Sequence, residues 1–495
     1  TIPSINQSLP SSCNSSWAIS ATAALSDRLR IASRSSPVLS PQPLLSCDRV
    51  SQGCQGGSPM NAYRWLMTHG VSDETCSPYQ ARGWDNGLEC QKGSVCFGCD
   101  SDGYCGIPRS YKIWSIKDHG VISGEMDMIN EIHTRGSIAC GIYSKSEEFA
   151  KYQQGVFTPS EERDKTASQY VTIVGWGYEN SLPYWLLKNS FGDSWGFNSG
   201  YMKLARGIDA LGVESNQCAW AIPNPEPTVI TNNDYPIPIL ERRESEEDTS
   251  IPAFDWRNVD GENFLSSTIN QNSPHLCNGS WAVASVNTLA SRFNILRHNQ
   301  WPRVLLNAQV LLNIQAGGGS CQGGNPTGVY QIMSQRGLTN ASCSQWISAD
   351  LKAPAIDAIN FCQTCSGDHP PTAMEDGQQN CLAVNPSQIY YVSESGRVYG
   401  IDKMKEQIST YGPITCALKP TLGFRGYSGG IYSEVGVVFP QELTHYVEVL
   451  GWGTSHNGHE YWIGRNSYGT FWGEDGFFRI RMDGDNLGIN QNCTW

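Results

Sequence analysis

The sequence predicts an α+β protein built twice over: two tandem domains, each with two lobes, one rich in helix and one rich in strand. Three observations predict it. Four motifs occur twice, in the same order. Each copy of the first motif runs into an apolar pattern with helical spacing. Each copy of the later motifs falls in alternating segments punctuated by glycine, which read as strands. Helices early and strands late within each repeat indicate segregated α and β layers.

In chain order, "NQSLPSSCNSSW" from Asn6 returns as "NQNSPHLCNGSW" from Asn270. After Ser16, the residues Trp17, Ala21, Ala24, Leu25 and Leu29 recur at helical spacing, and a similar apolar run follows Ser280. "CQGGSPMNAYRWLMTHGVSDETC" from Cys54 returns as "CQGGNPTGVYQIMSQRGLTNASC" from Cys321. "VTIVGWG" at Val171 returns as "VEVLGWG" at Val447, and "KNSFGDSWGFNSGYMKL" at Lys188 as "RNSYGTFWGEDGFFRI" at Arg465. A repeat this long is a domain; it is far too long for a solenoid unit. Between the copies, "NPEPTVITNNDYPIPILERRESEEDTSIP" from Asn224 is rich in proline and charge and reads as a linker. The expected division is therefore 1–222, a linker at 223–250, and 251–495.

The bulk composition excludes several classes. With 495 residues, 39% of them hydrophobic, the chain can bury real cores and is not a disordered polymer. Its net charge of −13, without a dense basic patch, argues against a nucleic-acid partner. No apolar run reaches the roughly 20 residues of a membrane-spanning helix. The 18 cysteines are even in number and carry spacings such as "CFGC" and "FCQTC". Zinc sites can share such spacings, but no histidine accompanies them in a finger-like arrangement. A disulfide framework fits better and implies an oxidising compartment. Five glycosylation sequons agree with that: Asn6, Asn14, Asn278, Asn340 and Asn492. No metal site or cofactor is expected. No signal peptide is visible and the chain opens at Thr1 without Met, so a processed or partial sequence is expected.

Together these motifs resemble the papain family of cysteine peptidases, and within it the cathepsin X (cathepsin Z) branch. The resemblance covers nearly the whole chain, twice, and implies a helical lobe and a β-barrel-like lobe in each unit. "IPAFDWRNVDGENF" at Ile251 resembles the mature start of that branch, and "DYPIPILERRESEEDTS" ahead of it looks like a relic of a short pro-segment. "NSP" after Gln271 sits where the branch carries its mini-loop, and the first unit has "SLP" there.

The family's chemistry needs a thiolate at a helix N-terminus and a His that pairs with it. It also needs an Asn that orients the His, and a Gln amide beside the oxyanion. The resemblance assigns these positions to Gln7, Ser16, Gln169 and Asn189 in the first unit. In the second they are Gln271, Ser280, His445 and Asn466. Serine thus stands at both nucleophile positions, and the first unit has an amide in place of the base. The glycine of the family's C-G-S-C-W loop is matched by Asn14 and Asn278, which are expected to narrow the cleft. Ser8 and Asn272 take the place of the mini-loop histidine that holds a substrate carboxylate in cathepsin X.

The resemblance also implies a disulfide pairing. In the first unit it is Cys13–Cys54, Cys47–Cys90, Cys76–Cys96, Cys99–Cys105 and Cys140–Cys218. In the second it is Cys277–Cys321, Cys343–Cys362, Cys365–Cys381 and Cys416–Cys493. The second unit lacks both partners of one bridge, which leaves no orphan thiol.

Two functional readings follow. The first is a catalytically inactive tandem protein, not an enzyme, with a scaffolding or binding role in a secreted, extracellular or endolysosomal lumenal assembly and with protein partners of unknown identity. The second is a serine-type hydrolase or condensing enzyme working through Ser280, His445 and Asn466. In papain-like folds the segment ahead of the nucleophile helix packs on the other lobe. The second unit supplies Phe254, Trp256 and Phe264 for this. The first unit is expected to obtain the same cover from residues upstream of Thr1 or from another chain.

Overall fold

The computed structural model describes residues 5–33, 37–99, 104–160, 164–233, 252–351, 355–365, 381–386, 388–436, 438–484 and 486–495. Mixed α+β architecture is present in both units. Each has a long central helix, Ser16–Ser33 in the first and Ser280–Leu296 in the second. Every residue from Ser16 to Leu29 is buried, so this helix is a core element and not a surface amphipath. The repeated "CQGG" explains part of that burial. A Cβ on Gly57 would lie 2.6 Å from the Trp17 ring, and one on Gly324 would lie 2.4 Å from the Trp281 ring. Only glycine lets the backbone pass so close to the indole. The residues that follow start the next helix. Ser58 caps Pro59–His69 by accepting from the Asn61 N–H, and Asn325 caps Pro326–Gln335 by accepting from the Thr327 N–H.

The β-lobes are long, mostly antiparallel sheets. The first has seven strands in the order Ile116–Ile122, Cys218–Pro223, Ile138–Ile142, Gln169–Glu179, Leu182–Lys188, Tyr201–Ala205 and Val156–Phe157. The second follows the same plan: Arg397–Val398, Cys493–Thr494, Ile414–Leu418, His445–Thr454, Glu460–Arg465, Phe477–Arg481 and Ile431–Tyr432. It gains an eighth strand, Pro252–Asp255, paired with His445–Thr454. Behind that strand Trp256 is buried, and its indole N–H donates to the Ile408 carbonyl at 2.8 Å. Phe254 stacks on Trp452 with ring centroids 5.0 Å apart, and Phe264 meets Trp256 edge-on. In each unit one apolar cluster fills the helical lobe, around Trp17 or Trp281, and another fills the β-lobe, around Trp185 or Trp462.

All 18 cysteines form the nine bridges that the family resemblance implies. The segment read as a linker is less plain than its composition. Thr228–Thr231 forms a strand against Ser110–Ile113 of the first unit. The β-branched "TVIT" outweighs its proline-rich surroundings. The pro-segment-like stretch at 234–250 lies outside the described residues, as does Thr1.

The two units touch directly. The Thr470 hydroxyl donates to Asp73 Oδ2 at 2.6 Å, and the Thr470 N–H donates to Thr75 Oγ1 at 2.9 Å. Lys112 pairs with Asp475 at 2.5 Å, and Trp301 meets Tyr201 edge-on with centroids 4.7 Å apart.

Candidate active site

Ser16 and Ser280 are each the first residue of a central helix, at the positive end of its dipole. Both are buried, and each hydroxyl oxygen accepts a backbone N–H from the facing sheet. Tyr170 donates to Ser16 Oγ at 3.2 Å, and Tyr446 donates to Ser280 Oγ at 3.2 Å. Those tyrosines directly follow Gln169 and His445, which open their strands. The fold therefore brings helix start and strand start together across the lobe boundary in both units.

In the second unit His445 Nε2 lies 2.7 Å from Asn466 Oδ1. The same Oδ1 accepts the Ser467 N–H at 2.8 Å, which identifies it as the amide oxygen. Nε2 must then carry the proton, leaving Nδ1 with a free lone pair. Burial, with a smaller repulsion from Arg425, pushes the imidazole from its ordinary 6.5 down to about 4, against the stabilising bond to Asn466. The ring is thus neutral near pH 7. Tyr468 covers it at a centroid distance of 4.8 Å. Gln271 is held by the Ser467 hydroxyl, which donates to its Oε1 at 2.5 Å, while its own Nε2 donates to the Cys277 carbonyl at 2.8 Å.

The first unit repeats this layout with amides. Gln169 Nε2 donates to Asn189 Oδ1 at 2.9 Å, to Gln7 Oε1 at 3.0 Å and to Ser190 Oγ at 3.2 Å. The Ser190 hydroxyl donates to Gln7 Oε1 at 2.6 Å. Gln169 thereby reproduces the N–H that His445 offers to its asparagine. It has no basic nitrogen with which to take up a proton.

All eight residues singled out from the sequence are therefore gathered, four in each unit. Ser190 and Ser467, which tie each Gln to its Asn, were missed. Their signal was present, since "NS" recurs in both copies of the motif. Asn14 and Asn278 are solvent-exposed, and both directly follow a bridged cysteine ahead of the central helix. Two of the sequon asparagines are spent on turns. Asn6 is buried, with its Oδ1 accepting from Ser8, and Asn340 is buried, with its Oδ1 accepting from Ser342. Asn272 is buried in the mini-loop, where its carbonyl accepts from the Cys99 N–H of the other unit at 3.2 Å.

Comparison with known proteins agrees with this architecture. The papain family cysteine protease pattern matches residues 4–221 and again 251–495. The chain belongs to the papain family of cysteine proteases. It is similar to a cathepsin Z of Onchocerca volvulus, 36% identical over 251 residues that span 49% of this chain and 76% of the relative. It is also similar to a gut-specific cysteine proteinase of Caenorhabditis elegans, 34% identical over 220 residues that span 41% of this chain and 64% of the relative. Among solved structures, a Carica candamarcensis cysteine protease in complex with E-64 matches at 26% identity and a TM-score of 0.37, covering 45% of this chain and 93% of that one. The expectation that the protein is not an enzyme is corrected by these relatives, which are named as a cathepsin and a cysteine proteinase. The nine disulfides accord with an oxidising compartment. Among the described residues no helix is long and apolar enough to cross a membrane.

Proposed function

We propose that the second unit, residues 251–495, is a hydrolase of papain architecture in which Ser280 occupies the nucleophile's place. His445 is its base, Asn466 orients the ring, and Gln271 stands beside the developing oxyanion. The first unit, 1–222, joined through 223–250, acts as a non-catalytic companion that binds and positions, and the whole works in a secreted or endolysosomal lumen. One geometric observation supports this reading: His445 Nε2 faces Asn466 Oδ1 at 2.7 Å, which leaves Nδ1 as the ring's acceptor, and burial favours the neutral ring. A papain-type thiolate needs an imidazolium beside it. A serine hydroxyl needs the opposite, a neutral imidazole with a free lone pair, as in other serine triads.

In the reaction the Ser280 proton passes to His445 Nδ1 as Oγ attacks the substrate carbonyl. The imidazolium then protonates the leaving group, and water releases the acyl chain by the reverse path. The helix N-terminus at Ser280 favours the negative charge that develops there. The substrate class is an acyl donor such as a peptide or ester.

A fluorophosphonate probe tests the proposal. The intact protein is expected to label at Ser280, as mapped by mass spectrometry, and labelling should vanish in Ser280→Ala and in His445→Gln. An unlabelled protein, or labelling that survives Ser280→Ala, would defeat it.

A further inference from the structure

A cavity of about 320 Å3 lies where the two units meet. The first unit contributes Arg30, Asp73 and Lys112 to its lining, and the second contributes Arg303, Arg465 and Asp475. Two of these cations are already spent. Lys112 pairs with Asp475 at 2.5 Å, and Arg465 pairs with the buried Glu448 at 2.6 Å. Asp73 is saturated by the Thr75 N–H, the Thr75 hydroxyl and the Thr470 hydroxyl, and burial raises its pKa towards the neutral form.

The remaining two cations are not satisfied in this way. Arg303 donates from Nη2 to the Leu265 carbonyl at 2.6 Å, but its Nε is shielded from solvent and meets no acceptor. Arg30 is exposed at the cavity and enters no ion pair among the described residues. Burial, then Arg30 and Arg465, push the Arg303 guanidinium down to about 10, against a partial counter-pull from Glu262. Like charges gathered around an orphaned donor are costly unless an anion joins them.

We propose that this cavity binds a ligand through an oxyanion group, a carboxylate, phosphate or sulfate, held between Arg30 of the first unit and Arg303 of the second. The guanidinium fork matches the paired acceptors of such a group. Trp301, which lines the cavity against Tyr201, offers an aromatic wall to the rest of the ligand. The site is independent of the serine chemistry proposed above, since none of the eight candidate active-site residues lines the cavity.

Isothermal titration calorimetry on the full chain tests the inference. Inorganic phosphate, sulfate and succinate are titrated separately, with ionic strength held constant by potassium chloride. At least one is expected to bind saturably, and the winning arm distinguishes a tetrahedral oxyanion from a carboxylate. Arg303→Gln removes the orphaned donor and should abolish binding. That side chain also holds Leu265, so Arg30→Gln, at an exposed position, decides the matter. Loss of one charge-assisted contact should weaken binding about tenfold or more. No saturable heat with any of the three anions overturns the inference, and so does unchanged affinity in Arg30→Gln.

Discussion

Replacing His445 by Gln separates the role proposed for the imidazole from its structural one. The first unit already contains the product of this change. Gln169 sits in the same place and bonds Asn189 at 2.9 Å, so a glutamine at 445 has a ready partner in Asn466. The thermodynamic consequence follows from linkage. The folded-state pKa of His445 is depressed from 6.5 to about 4 because burial disfavours the cation. Between those two values the unfolded chain binds a proton that the folded chain refuses. Stability therefore rises with pH across this window, is fully present above about 6.5, and is lost as pH falls towards 4. At about 1.4 kcal/mol per pH unit the loss comes to ~3 kcal/mol, a large part of the stability of a typical domain. Denaturant unfolding of the wild-type chain and of His445→Gln at matched pH values between 4 and 7 isolates this contribution, because every other titrating group is shared. The wild type should lose ~3 kcal/mol relative to the variant on acidification. Parallel stability curves for the two proteins would mean that His445 protonates freely in the fold, and the argument for a neutral base would collapse.

Two further outcomes are expected. Trp256→Ala removes a buried indole and its 2.8 Å bond to Ile408, and should destabilise the second unit by about 3–5 kcal/mol in denaturant unfolding. A loss below ~1 kcal/mol would show that the segment carrying Trp256 contributes little to that core. Ser16→Cys alone should leave peptide cleavage at background in a fluorogenic assay made in the Ser280→Ala protein, because Gln169 supplies no base; turnover above background would refute the assignment of Gln169 to the base position.

Much of the fold was legible because it is written in periodic apolar positions and in repeated, sterically demanding residues. The helical run after Ser16 and the "CQGG" turns each have one physical solution, a buried helix with glycine pressed against its tryptophan. The site residues were legible through the family resemblance and not through spacing, since Gln7, Ser16, Gln169 and Asn189 are remote in sequence. Side-chain direction was not legible. Asn6 and Asn340 both read as sequons, yet each is buried with its Oδ1 turned to a neighbouring backbone N–H. The "TVIT" strand was hidden by the proline and charge around it, although four β-branched residues in a row were a sufficient signal. Nothing in the sequence announced the inter-unit contacts. Thr75 and Thr470 are ordinary turn residues until the surface each one faces is known.

Those contacts bear on how a unit with Gln169 where the other has His445 remains compatible with the rest. The segment 270–273, which runs into the mini-loop, is stitched to the first unit at three points. Asn270 Nδ2 donates to the Thr75 carbonyl at 2.9 Å, the Asn272 carbonyl accepts from Cys99, and the Ser273 hydroxyl donates to the Phe97 carbonyl at 3.1 Å. Gln271 lies between Asn270 and the mini-loop, so the first unit holds the backbone on both sides of that amide. The relation runs both ways. Cys99 belongs to the Cys99–Cys105 bridge, and its counterpart Cys365, of the Cys365–Cys381 bridge, touches the Pro10 carbonyl in the first unit's own mini-loop at 3.5 Å. Equivalent patches meeting each other in this way form the near-symmetric contact of a two-fold pair. None of these contacts passes through Ser16, Gln169 or Asn189. Position 169 of the first unit can therefore hold an amide without loosening that unit's grip on the segment around Gln271.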